Sequence, residues 1–102
     1  MLVYEVDIEI DAPLRGEYLA WLHPHVAEII ALEGFTGAQV LEVVDPPPSA
    51  GTARFCVQYR LTGTDALEAY LRDHAPRLRA DGIARFGSGM RASRRVMRPP
   101  AA

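Results

Sequence analysis

Two histidines, His25 and His74, stand at helical spacing among apolar residues, each within two positions of a proline (Pro24 and Pro76). An imidazole placed this way can exchange a proton near neutral pH or donate to a bound ligand. The same placement also serves structure. A proline leaves the carbonyl four residues before it without its usual N–H partner, and a buried imidazole can take up that bond. The pattern allows both roles. Tyr18, Trp21, Tyr59 and Tyr70 fall on helix or strand faces expected to meet, where they either line an apolar pocket or pack as core. Tyr59 joins His25 and His74 as a candidate catalytic group, and Tyr18, Trp21, Tyr70 and the two histidines are the candidate ligand contacts.

Other chemistry is weaker. His23-Pro24-His25 with Glu28 resembles a metal-binding set. At about 100° per residue, however, His23 lies roughly 160° around the helix from His25, so one continuous helix cannot chelate with both. Cys56 is the one cysteine, placed on a strand face away from Phe55, Val57 and Tyr59. A lone strand cysteine is usually inert packing. There is no glycine-rich phosphate loop, nucleophile elbow or zinc spacing, so neither a metal nor a cofactor is expected.

The elements that must position these residues follow from periodicity. Leu2, Tyr4, Val6, Ile8 and Ile10 alternate with Glu5, Asp7 and Glu9, the signature of a strand with one buried face. Asp11-Ala12-Pro13 opens a helix whose stripe is Leu14, Tyr18, Trp21, Leu22, His25, Ile29 and Ile30, with a kink or split expected at Pro24 and an end near Glu33-Gly34. Residues 35–44 form a second strand, and the prolines of Asp45–Gly51 a loop. Thr52–Leu61 alternates as a third strand. A second helix carries Leu67, Tyr70, Leu71, His74 and Leu78, is interrupted by Pro76 and Gly82, and is followed by a short turn at Ile83–Phe86. Residues 90–97 form a fourth strand, and 99–102 a frayed tail.

Strand, helix, strand, strand, helix, strand makes two similar halves. Right-handed crossovers turn this order into a ferredoxin-like α+β plait: a four-stranded antiparallel sheet in spatial order 4-1-3-2, with both helices on one face. Length agrees, since 102 residues suffice for one domain, here 1–98. The charge distribution has a place in this order. Residues 1–71 carry a charge of −8 and residues 72–102 a charge of +6. If strands one and four are neighbours, Glu5, Asp7 and Glu9 lie beside Arg91, Arg94 and Arg95, and the asymmetry fixes strand register. The competing meaning is a basic arm for a polyanion. Lysine is absent while arginine occurs 11 times, which points to genome composition more than to guanidinium chemistry. The plait is also the fold of the RNA-recognition motif. Arg54 and Cys56 occupy the positions where that module needs stacking rings, and the net charge is −2, so nucleic acid is not an expected partner.

Trp21-Leu22 with His25-Val26, Glu33-Gly34-Phe35, the block Tyr70-Leu71-Arg72-Asp73-His74-Ala75-Pro76-Arg77-Leu78-Arg79, and Arg85-Phe86-Gly87 resemble a bacterial family of unknown function in the dimeric α/β-barrel superfamily. The resemblance implies a ferredoxin-like protomer whose open sheet face meets a second copy. The superfamily includes cofactor-independent antibiotic-biosynthesis monooxygenases, muconolactone isomerases and stress-responsive barrel domains. Fold alone does not carry chemistry across.

Together these readings lead to a homodimer that takes a small apolar or aromatic molecule between helices and sheet, in the manner of a cofactor-independent oxygenase or isomerase. The alternative is a non-catalytic dimeric interaction or regulatory domain whose histidines are structural. The start of the chain lacks the pattern of a signal peptide and no apolar run reaches the ~20 residues of a membrane span, so a cytoplasmic location without membrane contact is the expectation.

Overall fold

The computed structural model describes residues 1–101. The last residue of the expected tail, Ala102, lies outside the described residues. The chain forms β1 (Leu2–Asp11), α1 (Arg15–Ile30), β2 (Phe35–Glu42), β3 (Thr52–Leu61), α2 (Thr64–Asp73), α3 (Ala75–Phe86) and β4 (Met90–Met97). The strands make one antiparallel sheet in the order β2-β3-β1-β4. This is the ferredoxin-like plait that the element order implies, with three helices rather than two. No helix among the described residues is long and apolar enough to cross a membrane.

The expected interruptions moved, each for a local reason. Pro24 neither splits nor ends α1, which runs unbroken from Arg15 to Ile30. Pro24 and Ala20, whose carbonyl it leaves unpaired, are both exposed, so water can satisfy the lost bond while Tyr18, Leu22, Val26 and Ile29 stay buried on the opposite side. The second helix does divide, but at His74 (φ −128°, ψ −39°). Pro76 thereby falls in the first turn of α3, where its missing N–H has no intrahelical acceptor to serve. Gly82 does not interrupt α3, and Ile83–Phe86 is the last turn of the same helix. A Cβ at Gly82 would stand 3.2 Å from Trp21 Cη2 and from Met90 Cε, so the glycine serves close packing. β2 stops at Glu42, two residues short of the expected end, and Val44 is exposed.

The inner face of the sheet presents Tyr4, Ile8 and Ile10 from β1 and Phe55, Val57, Tyr59 and Leu61 from β3. Against it lie Tyr18, Leu22 and Ile29 of α1, Tyr70 of α2, and Leu78 and Phe86 of α3, all buried. Each such aliphatic side chain contributes about 1.5–3 kcal/mol by leaving water.

The opposite face of the sheet is a lattice of charges. Glu5 accepts from Gln58 Nε2 at 3.0 Å and pairs with Arg95. Asp7 holds both Nε and Nη2 of Arg54 at 2.8 Å. Arg91 joins Glu9 at 2.7 Å and Asp11 at 2.9 Å. Two of the expected β1–β4 pairs are therefore present. The third expectation needs correcting. Asp7 sits opposite Ser93 and takes its partner from β3, while Arg94 sits opposite Val6 and so belongs to the inner face.

Candidate functional site

Between the helices and the inner face of the sheet lies a partly open cavity of about 290 Å³. The 3.6-residue period of α1 projects Tyr18, Trp21 and His25 into it. The two-residue period of the strands adds Tyr4 and Tyr59, and α2 adds Tyr70. These rings form two clusters, Tyr18 with Trp21 and His25, and Tyr4 with Tyr59 and Tyr70. Trp21 stacks on the His25 imidazole (centroids 4.2 Å apart, planes 25° off parallel) and reaches Tyr18 at 6.0 Å. Tyr4 lies 6.0 Å from Tyr59 and 5.9 Å from Tyr70.

Burial sets the chemistry of the polar groups. It pushes the Tyr18 and Tyr59 hydroxyls well above the usual phenol range, and Tyr70 up to about 12. All three remain protonated at neutral pH and act as donors, not bases. Burial also lowers the pKa of His25, against the pull of Glu28 and Asp81, which keeps its imidazole neutral at pH 7. A neutral imidazole can accept a proton. The cavity thus combines one available base with several hydroxyl donors.

Of the residues nominated from sequence, the cavity gathers Tyr18, Trp21, His25, Tyr59 and Tyr70. It does not include His74, which stands at the junction of α2 and α3, where its backbone N–H donates to Tyr70 and its carbonyl accepts from Leu78. His23 is exposed. Among the described residues no three His, Cys, Asp or Glu side chains cluster as metal ligands. Cys56 is half-buried on the charged face, where burial and the neighbouring Glu5 carboxylate push its thiol up to about 11, so the reactive thiolate is suppressed.

Neither imidazole makes a side-chain hydrogen bond among the described residues, so replacing either one orphans no partner. His74→Gln is expected to shift stability by less than about 0.5 kcal/mol. His25→Gln should lose about 1 kcal/mol with the Trp21 stack. Thermal melts followed by circular dichroism check both, and a drop of 10 °C for His74→Gln would contradict this account.

Three polar side chains of the cavity are not among the candidates nominated from sequence: Tyr4, Arg79 and Arg94. Signals for them exist. Arg79 shares an α3 stripe with Ala75, Gly82 and Phe86, otherwise small or apolar. Arg94 alternates with Met90, Ala92 and Val96, the inward set of β4. Arg79 Nη2 donates to the Tyr4 hydroxyl at 2.9 Å, while its Nε is buried without a partner.

A family described as a domain of unknown function (DUF4286) matches residues 1–99. The chain belongs to that family. No functionally curated protein matches it in sequence. Among solved structures, this DUF4286 chain is similar to a variant of SnoaB, a cofactor-independent oxygenase from Streptomyces nogalater, at 12% identity and TM-score 0.69, over 99% of this chain and 95% of that one. Rv0793 from Mycobacterium tuberculosis is similar at 17% identity and TM-score 0.67, over 100% and 98% of the two chains. A dimeric ferredoxin-like protein from an uncultured marine organism is similar at 12% identity and TM-score 0.60, over 94% and 92%. At these identities the likeness establishes a shared fold.

Proposed function

We propose that this protein is a homodimer that binds a small aromatic or apolar molecule in the cavity between helices and sheet, and acts on it without a cofactor, as an oxygenase or isomerase does. The observation that carries this reading is the cavity of about 290 Å³, walled by aromatic rings and reached by the neutral His25 imidazole. Unfilled space of this size between packed layers favours a ligand site over a solid core. In such a reaction His25 takes a proton from an acidic C–H or O–H of the ligand, and the tyrosine hydroxyls donate to the oxyanion that develops. The fold shared with a cofactor-independent oxygenase is consistent with this chemistry. With His74 away from the cavity, the acid–base work falls to His25 and a tyrosine.

Trp21 is the one tryptophan of the chain and lines the cavity, so its fluorescence reports occupancy directly. Titration with benzoate, 2-naphthoate and their amides is expected to give a saturable change for at least one compound. Ala92→Phe, at the exposed end of the cavity, should weaken that binding at least ten-fold. Saturation that Ala92→Phe leaves unchanged would place the ligand elsewhere. No saturation with any of the four at millimolar concentration would favour the non-catalytic interaction domain.

The dimer is proposed on the fold shared with a dimeric ferredoxin-like protein and on the open, half-buried face of the sheet. A chain of this length buries only about 60–65% of its unfolded surface, and a second copy on the open face adds to that. Light scattering should return twice the 11.2 kDa chain mass at micromolar concentration, and the monomer mass would overturn it.

A further inference from the structure

Six of the eleven arginines stand against an acid. Arg15, Arg54, Arg72, Arg77, Arg91 and Arg95 each hold a carboxylate at hydrogen-bonding distance. Arg60, Arg79, Arg85, Arg94 and Arg98 hold none among the described residues, and of these five Arg79 and Arg94 line the cavity, whose wall contains no aspartate or glutamate. Arg79 approaches from α3 with its Nη2 on the Tyr4 hydroxyl and its Nε buried and unpartnered. Arg94 approaches from β4, opposite Val6, on the face of the sheet that turns toward the helices. Both guanidinium charges act on the Tyr70 hydroxyl, and Arg94 acts also on Tyr18 and Tyr59, so the positive field lies over the aromatic wall.

A half-buried arginine with an unmet donor, in a cavity that holds no carboxylate, is costly unless something negative completes it. Arginine's planar fork suits a carboxylate, to which it can donate two parallel bonds. Resting on the ligand-site reading above, we propose that the cavity's ligand is an anion, a ring compound bearing a carboxylate, with the carboxylate drawn to Arg79 and Arg94 and the ring set among Tyr18, Trp21 and Tyr59. The arrangement also gives the two arginines a part in specificity. A neutral ring of the same size fills the same space but leaves the guanidinium donors unmet, so it is discriminated against by charge and not by shape.

Isothermal titration of the wild-type protein with 2-naphthoate and its neutral partner 2-naphthamide, and with benzoate and benzamide, tests this. The expected result is that each carboxylate binds at least ten-fold tighter than its amide. Arg94→Gln, at an exposed position on an edge strand, should remove most of that ratio without affecting the fold, and Arg79→Gln should do the same. Arg79→Lys, which keeps the charge but not the fork, should recover only part of it. Amides that bind as tightly as the acids, or a ratio unchanged in Arg94→Gln, would overturn the anion while leaving the cavity as a ligand site. Binding by none of the four compounds would overturn the ligand-site reading and this inference with it.

Discussion

Glu5→Gln is expected to lower the stability of the protein by about 1–3 kcal/mol, a fall in melting temperature of about 10 °C for a domain of this size. Glu5 is 5% exposed, the one buried charged residue among the described residues. The Arg95 guanidinium and then the Gln58 amide hold its carboxyl at about 2, well below the usual carboxylate range, against the opposing effect of burial. A glutamine keeps the shape and the Gln58 contact but removes the charge facing Arg95, which is itself largely exposed and so tempers the loss. The pH dependence has a definite sign. Because the folded pKa lies below the unfolded one, the carboxylate stabilises the protein fully above about pH 4.5, and this contribution fades as pH falls toward 2. Melting temperatures of wild type and Glu5→Gln should therefore differ most at neutral pH and converge between about pH 4.5 and 2. A gap that stays constant over that range would mean that Glu5 contributes through packing and not through its charge.

The same residue shows which parts of this structure can be read from sequence. Strict alternation in residues 2–10 and 52–61 specified β1 and β3 because one face of each packs into the core, with only Val6 half-buried, so a slip of one residue would invert every side chain. The order of elements then sufficed for the sheet order. What periodicity could not resolve was the backbone near Pro24, Pro76 and Gly82. A proline's effect depends on whether its freed carbonyl meets water, and a glycine's on what packs against it, and both are tertiary facts. The candidate site divided along a similar line. Tyr18, Trp21, His25, Tyr59 and Tyr70 lie on apolar stripes, and stripes converge once the fold is set. His74 lay on such a stripe too, but the helix breaks at that residue and takes it out of the cavity. Arg79 and Arg94 were obscured for the opposite reason. In a chain with 11 arginines and no lysine, a single arginine stands out only by its face, and the face of Arg94 was set by the register with β1.

That register also separates the effects of two charge reversals. Asp7→Arg is expected to destabilise the protein by about 2 kcal/mol, and Asp45→Arg by less than about 0.5 kcal/mol. Asp7 is central to the charged face: it binds Arg54 through two hydrogen bonds of 2.8 Å, with Arg91 and Arg95 on the neighbouring strand. An arginine at position 7 loses both bonds and adds a like charge among three existing ones, in the middle of a ladder whose backbone cannot move aside. Asp45 is an exposed loop residue beside the proline run and has no ion pair among the described residues. Thermal melts should show a drop of about 10 °C for the first variant and little change for the second. The melts should also respond oppositely to salt. Screening by 1 M sodium chloride weakens the repulsion in Asp7→Arg and so narrows its deficit against wild type, whose own ion pairs weaken in the same solution. Equal losses at positions 7 and 45 would mean that the charged face does not constrain register. The apolar alternation of β1 and β3 would then set the sheet alone, and the acidic strand would be free to respond to whatever second surface covers it.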